Sequence, residues 1–231
     1  MQKILKYIIL LNSILLCGFS TQLSAQEKKD TTKVTVPLYQ GFTVELDVVP
    51  FVETAFNNGE IYGTQGNLQF NLKNKFFPVI EIGYSSANKT LQNESKTNFS
   101  GKGMYEKIGI DFNLLKQNPG GKIYNNYFLA GLRFGMTKFD YSINNLYIED
   151  NYWGGSENLN LNLTSPTKFW YELVGGIRVD IYKGITMGWN VRNKHLMKST
   201  ANGNVAPWYI PGYGKNTTSL WGFSYIIGYR F

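Results

Sequence analysis

The sequence predicts an all-β protein: an eight-stranded antiparallel up-and-down β-barrel that crosses a membrane on its strands. Three observations carry this. The final stretch alternates at period two, with Trp221, Phe223, Tyr225, Ile227, Tyr229 and Phe231 on one face and Gly222, Ser224, Ile226, Gly228 and Arg230 on the other. Such a row, aromatic at every position but Ile227, suits the edges of a bilayer better than the interior of a soluble sheet, which favours Val, Ile and Leu. Seven earlier segments alternate in the same way, and the connections between them alternate short and long, the pattern of periplasmic turns and outer loops.

Composition agrees. Hydrophobic residues make up 43% of the chain and aromatics 16%, yet mean hydropathy is negative, so apolar residues are dispersed rather than blocked. After the leader, no uncharged apolar run approaches the ~20 residues of a spanning helix. The net charge of +7 falls to +5 once Lys3 and Lys6 are removed with the leader, each taking one charge. There is no basic run, so nucleic-acid binding is not expected.

Residues 1–25 read as a signal peptide: Lys3 and Lys6 in the charged region, an apolar Tyr7–Phe19, then Leu23-Ser24-Ala25 before the cut. Cys17 opens a lipoprotein reading, against which Leu16 stands where lipid-modified signals want a small residue. With Cys17 removed no disulfide can form. Residues 26–40 form a polar periplasmic segment without periodicity. Within it Asp30-Thr31-Thr32 resembles an O-glycosylation site, against the plainer reading of a solvated linker. Residues 41–231 form the barrel domain.

The predicted strands are Phe42–Glu53, Gly63–Lys73, Phe77–Ser85, Met104–Leu114, Tyr124–Lys138, Lys168–Tyr182, Ile185–Lys194 and Trp221–Phe231. In the first, Phe42, Val44, Leu46, Val48, Pro50 and Val52 face outward. The connection after strand two is Asn74–Phe76, that after four carries Asn118-Pro119-Gly120-Gly121, and that after six is Lys183-Gly184; these are turns. Thr54–Tyr62, Ala87–Gly103, Phe139–Thr167 and Leu196–Asn216 are the long loops. An even strand count puts both mature termini in the periplasm.

The inward rows carry the charge. Glu45, Asp47, Glu53, Glu81, Asp111, Glu172 and Asp180 stand against Lys73, Lys107, Arg133, Arg178, Arg192, Lys194 and Arg230, while the outward rows are nearly charge-free. An outward Lys or Arg at mid-bilayer costs ~2–4 kcal/mol, which explains the segregation. Eight strands leave an interior just wide enough for side chains to fill. Balanced charges in so narrow a tube are expected to pair into a salt-bridged plug, because unpaired buried charge is expensive. The competing reading is an ion path through a narrow pore or small-solute transporter.

The pattern across residues 41–231 resembles small bacterial outer-membrane barrels of the OmpA/OmpX type, which commonly end in an aromatic residue such as Phe231. Trp170–Asp180, Gly188-Trp189-Asn190-Val191-Arg192 and Tyr209–Gly214 resemble an uncharacterised barrel family of Bacteroidetes envelopes. That resemblance implies an outer-membrane barrel and supplies no activity, ligand or catalytic residue.

No metal-ligand spacing, phosphate loop or cofactor motif is present, and the chain does not read as an enzyme. A distant alternative, an outer-leaflet lipid-modifying enzyme, rests on His195 near Ser199 at the outer end of the seventh predicted strand. The fourth loop, with Trp208, Tyr209 and Tyr213, either binds a sugar or partner by stacking or folds over the barrel mouth. Lys89, Lys96, Lys102, Lys138, Lys168, Lys198 and Lys215 lie in or beside the long loops, where lysine makes adaptable contacts with phosphate. The expected partner is outer-membrane lipid, lipopolysaccharide included.

Overall fold

The computed structural model describes residues 37–91, 96–115, 125–150, 155–163, 167–197 and 206–231. The leader, Thr31 and Thr32, the Asn118–Gly121 turn, Lys198 and Ser199 lie outside the described residues.

The elements are β1 (Tyr39–Asp47), α1 (Val49–Phe56), β2 (Ile61–Leu72), β3 (Phe76–Thr90), β4 (Asn98–Asn113), β5 (Tyr127–Asp150), β6 (Gly155–Leu163), β7 (Thr167–Tyr182), β8 (Ile185–Leu196), β9 (Tyr209–Ile210), β10 (Gly214–Lys215) and β11 (Ser219–Arg230). Strands β1, β2, β3, β4, β5, β7, β8 and β11 each pair antiparallel with the next, and β11 returns to β1, so eight strands close into a ring. Among the described residues no helix is long and apolar enough to cross a membrane.

The alternation places side chains as the sequence implies. Ile80, Ile82, Ile108, Phe128, Leu132, Phe134, Leu173 and Phe223 stand exposed on the outside, and Glu81, Lys107, Arg133 and Glu172 are buried within. Glu106 breaks the outer row: it is exposed and lies in register with Ile82 and Met136. The ring closes where Phe231 N donates to Phe42 O (2.9 Å) and the two rings stack with centroids 4.9 Å apart.

The first predicted strand is only half right. β1 stops at Asp47, and Val49–Phe56 is helical rather than extended, so Val48, Pro50 and Val52 do not continue the outward row. Proline supplies no N–H to a ladder and is pre-set for the first turn of a helix. Asp47 fixes the switch: its Oδ1 accepts from Val49 N (3.0 Å) and Tyr225 N (3.2 Å). Glu53 consequently lies on α1 and is exposed, outside the inward row assigned to it.

At the loop end the sheet runs further than predicted. β3 reaches Thr90, β4 starts at Asn98, β5 reaches Asp150, and β6 pairs with β5 from Tyr141↔Leu163 to Asp150↔Gly155. Alternation of outer apolar residues marks only the height of the belt; beyond it the outer face is free to be polar. The inner face stays apolar through Phe99, Phe139, Tyr141 and Ile143, which are buried.

Candidate functional site

The middle of the barrel interior is one connected ionic cluster. Glu81 on β3 is its hub. Its carboxylate accepts from Arg133 Nε (2.9 Å) on β5, from Arg192 NH1 (2.7 Å) and NH2 (3.0 Å) on β8, and from Gln65 Nε2 (3.1 Å) on β2, with Lys107 Nζ at 3.4 Å. Glu172 on β7 takes a second bond from Arg192 NH1 (3.0 Å), stands 3.2 Å from Lys107 Nζ, and accepts from Trp170 Nε1 (2.8 Å). Arg133 grips Asp111 through NH1 and NH2, each at 2.8 Å. Glu81, Asp111 and Glu172 are 0–1% exposed, so no water-accessible face of these carboxylates remains at this level. Backbone spacing makes the fit: a Cβ at Gly131 would overlap Asp111 Oδ1, and one at Gly188 would meet Arg178 Cδ at 2.7 Å.

Towards the turn end a second group forms. Arg178 on β7 donates through Nε to Glu45 Oε1 on β1 (2.9 Å) and through NH1 to Asn190 Oδ1 (2.8 Å), and Asn67 Nδ2 reaches Glu45 Oε2 (3.4 Å). Arg230 pairs with Asp180, which also accepts from Asn125 Nδ2 (3.0 Å). Tyr127 OH donates to Gln69 Oε1 (3.0 Å), and Gln69 Nε2 to Asp111 (3.2 Å), linking this group to the one above.

At the loop end the fourth long loop turns inward as a cover. Ile210 and Tyr213 are fully buried and Tyr209 nearly so, packed with Trp170, Tyr105, Phe99 and Tyr141. Lys194 Nζ donates to the carbonyls of Gly212 (3.0 Å) and Tyr213 (3.1 Å), and Ser85 Oγ accepts from Gly212 N (3.2 Å). Gly212 has φ +76°, and a Cβ there would strike the Tyr105 ring. Burial pushes the Tyr209 and Tyr213 phenols above their usual pKa, so both stay neutral hydrogen-bonding groups.

Glu45, Asp47, Glu81, Lys107, Asp111, Arg133, Glu172, Arg178, Asp180, Arg192 and Arg230 thus all face the interior. Lys73 does not: it sits exposed in the β2–β3 turn with φ +54°, because the strand ends at Leu72 and the turn needs left-handed backbone there. Of the three loop aromatics, Tyr209 and Tyr213 are buried, which agrees with the alternative in which the loop folds over the barrel mouth and corrects the one that gives them a stacking surface; Trp208 is half-buried, edge-on to Phe99 with Lys89 Nζ 5.4 Å above its ring. His195 is on the outer face, stacked on Tyr171 (5.0 Å) and opposite Ser219 in the ladder. Sequence reasoning missed the neutral members of the cluster, Gln65, Asn67, Gln69 and Asn190. For the first three, the signal is the run of inward amides on β2, whose carbonyl oxygens and N–H groups satisfy both signs of charge; Asn190 stands by itself on β8.

A closed ring of eight antiparallel strands with an ionic interior and an apolar exterior defines the class: a small β-barrel of the outer-membrane type. The chain belongs to the family described as a domain of unknown function (DUF6048), whose model matches residues 3–231. No curated protein matches it. Among solved structures, the crystal structure of neisserial surface protein A is similar, with 10% identity and a TM-score of 0.44, covering 84% of this chain and 99% of that one.

Proposed function

We propose that the protein is an outer-membrane β-barrel of a Gram-negative, Bacteroidetes-type envelope, with both mature termini in the periplasm and a lumen closed by salt bridges. Its role is structural or surface-binding through the long outer loops, with no catalytic chemistry. The observation that carries this reading is the opposition of the two faces of one wall. Ile108, Leu132 and Leu173 stand exposed on the outside while Lys107, Arg133 and Glu172, next to them in sequence, are buried and paired within. Water would penalise the first set and a lipid-facing placement the second, so only a membrane-embedded barrel suits both.

The outer rim supports a lipid partner. Lys102 lies in register with Asp140, and Lys138 with Met104, at the height where the apolar belt gives way to charge. Lysines there are placed to meet phosphates of outer-leaflet lipopolysaccharide. Lys89, by contrast, is engaged by Glu60 at 2.8 Å. The test is fractionation and gel mobility: the mature protein is expected in the outer-membrane fraction, to need detergent, and to migrate differently boiled and unboiled. Recovery as a detergent-free monomer of unchanged mobility overturns the reading.

A further inference from the structure

We propose that the break in the barrel wall between β2 and β11 is a docking site for one acyl chain of an outer-leaflet lipid, its ester or amide linkage lying against the open backbone edge of β11. This rests on the membrane-barrel reading above and adds a specific occupant to one face of it.

The break follows from the shortness of β1. The β1 ladders end at Asp47, opposite Gln65 of β2 and Ile226 of β11. Above that height Ile61 and Gly63 on one side, and Trp221 and Phe223 on the other, have no strand between them; α1 stands there instead. Helix α1 packs mainly on β2, where Pro50 Cβ lies 3.3 Å from the place a Gly63 Cβ would occupy, and touches β11 much less. A notch is therefore left along β11.

The edge of that notch is polar in its backbone and apolar in its side chains. Tyr225 directs its backbone at the β1 side, donating to Asp47 Oδ1 and accepting from Val48 N (2.8 Å). Strand alternation directs Phe223 and Trp221 to the same side. Among the described residues, the Val48–Tyr225 bond is the last backbone bond across the seam. The elements that border the gap carry exposed apolar side chains: Trp221 and Phe223 on β11, which are 70% and 53% exposed, Phe56 (61%), Phe51 and Val52 on α1, and Tyr62 on β2.

These features select the occupant. An added β-strand is disfavoured, because α1 packs on β2 and leaves only the β11 edge for it to pair with, whereas an acyl chain needs no second edge. Six residues of β11, 219–224, present about 20 Å of edge at ~3.3 Å per residue before tilt. At a strand tilt of about 40° this spans ~15 Å along the membrane normal, one leaflet of a hydrocarbon core about 30 Å thick. A lipid chain covers the aromatic rim, and the carbonyl of its linkage accepts from an N–H that hydrocarbon alone leaves unpaired at high cost.

The test uses the full mature chain purified in detergent and mixed with dimyristoylphosphatidylethanolamine, with bound lipid read by native mass spectrometry. The notch variant is Phe51→Ala/Trp221→Ala/Phe223→Ala, and the control, on the β4–β5 wall, is Ile108→Ala/Leu132→Ala/Phe134→Ala. Unboiled gel mobility first verifies that each variant is a folded barrel; loss of the heat shift in the wild type itself would instead strike at the membrane-barrel reading. The expected result is one lipid retained by wild type and control and at least fivefold less by the notch variant. Equal retention by both variants, no retained lipid in wild type, or a dimer that only the notch variant loses would each overturn the proposal, the last by identifying a second copy as the occupant.

Discussion

The two sides of the ring are built differently. On one side β3 and β4 pair without interruption from Phe76↔Phe112 to Thr90↔Asn98, and β4 and β5 from Asn98↔Asn144 to Asn113↔Leu129. At the closing seam β1 and β11 pair only from Thr43↔Arg230 to Asp47↔Ile226. The long wall is held by its own ladder, whereas the seam draws on the interior. Arg178 on β7 reaches Glu45 on β1, and Asp47 caps the point where pairing stops. The ionic cluster therefore does more than neutralise charge, because it fastens the weakest joint of the ring from within.

That contrast can be broken at three points. The largest effect is expected from Glu81→Leu, which strips Arg133, Arg192 and Lys107 of a shared carboxylate. Removing one partner of a buried pair costs about 3–5 kcal/mol, and here three cations are left short. The thermal midpoint of the unboiled gel form should fall sharply, and amide exchange should rise at Val44 and Leu46 more than at Ile108. Glu45→Gln removes only the charge that Arg178 grips, at about 2–3 kcal/mol; exchange should rise along β1 and leave β4 unchanged. Asp47→Ala is the smallest, about 1 kcal/mol as for a lost helix cap, and should loosen the amides of Val49 and Tyr225 alone. Equal exchange on both sides of the ring in all three variants would remove the distinction.

Much of this was legible in the sequence. The period-two rows from β2 to β11 name the inner and outer faces, because lipid on one side and a tight polar interior on the other leave each position little choice. The balance of charge was legible too, and it survives the departure of Glu53 and Lys73, one acid and one base. What the sequence did not yield lies where local signals compete. Val48, Pro50 and Val52 keep the strand period through a helix, and only Pro50 speaks against it. Above the belt, Asn98 and Ser100 stay in strand with no apolar outer row to announce them. The inward turn of Ile210 and Tyr213 depends on Gly212 meeting Tyr105 and on Lys194 reaching two carbonyls, contacts between segments far apart in the chain. Glu106 on the outer face follows no rule of segregation, and its presence near Lys138 at the top of the belt has no further physical account.

The central claim is that the interior is sealed by pairing among its own charges, and steady-state conductance across a planar lipid bilayer measures this most directly. Wild-type protein reconstituted at defined density should pass no reproducible ion current, since Glu81, Asp111 and Glu172 have no water-accessible face. Discrete, reproducible channels in the wild type, with a conductance that scales with salt, would contradict it and establish the narrow pore in its place.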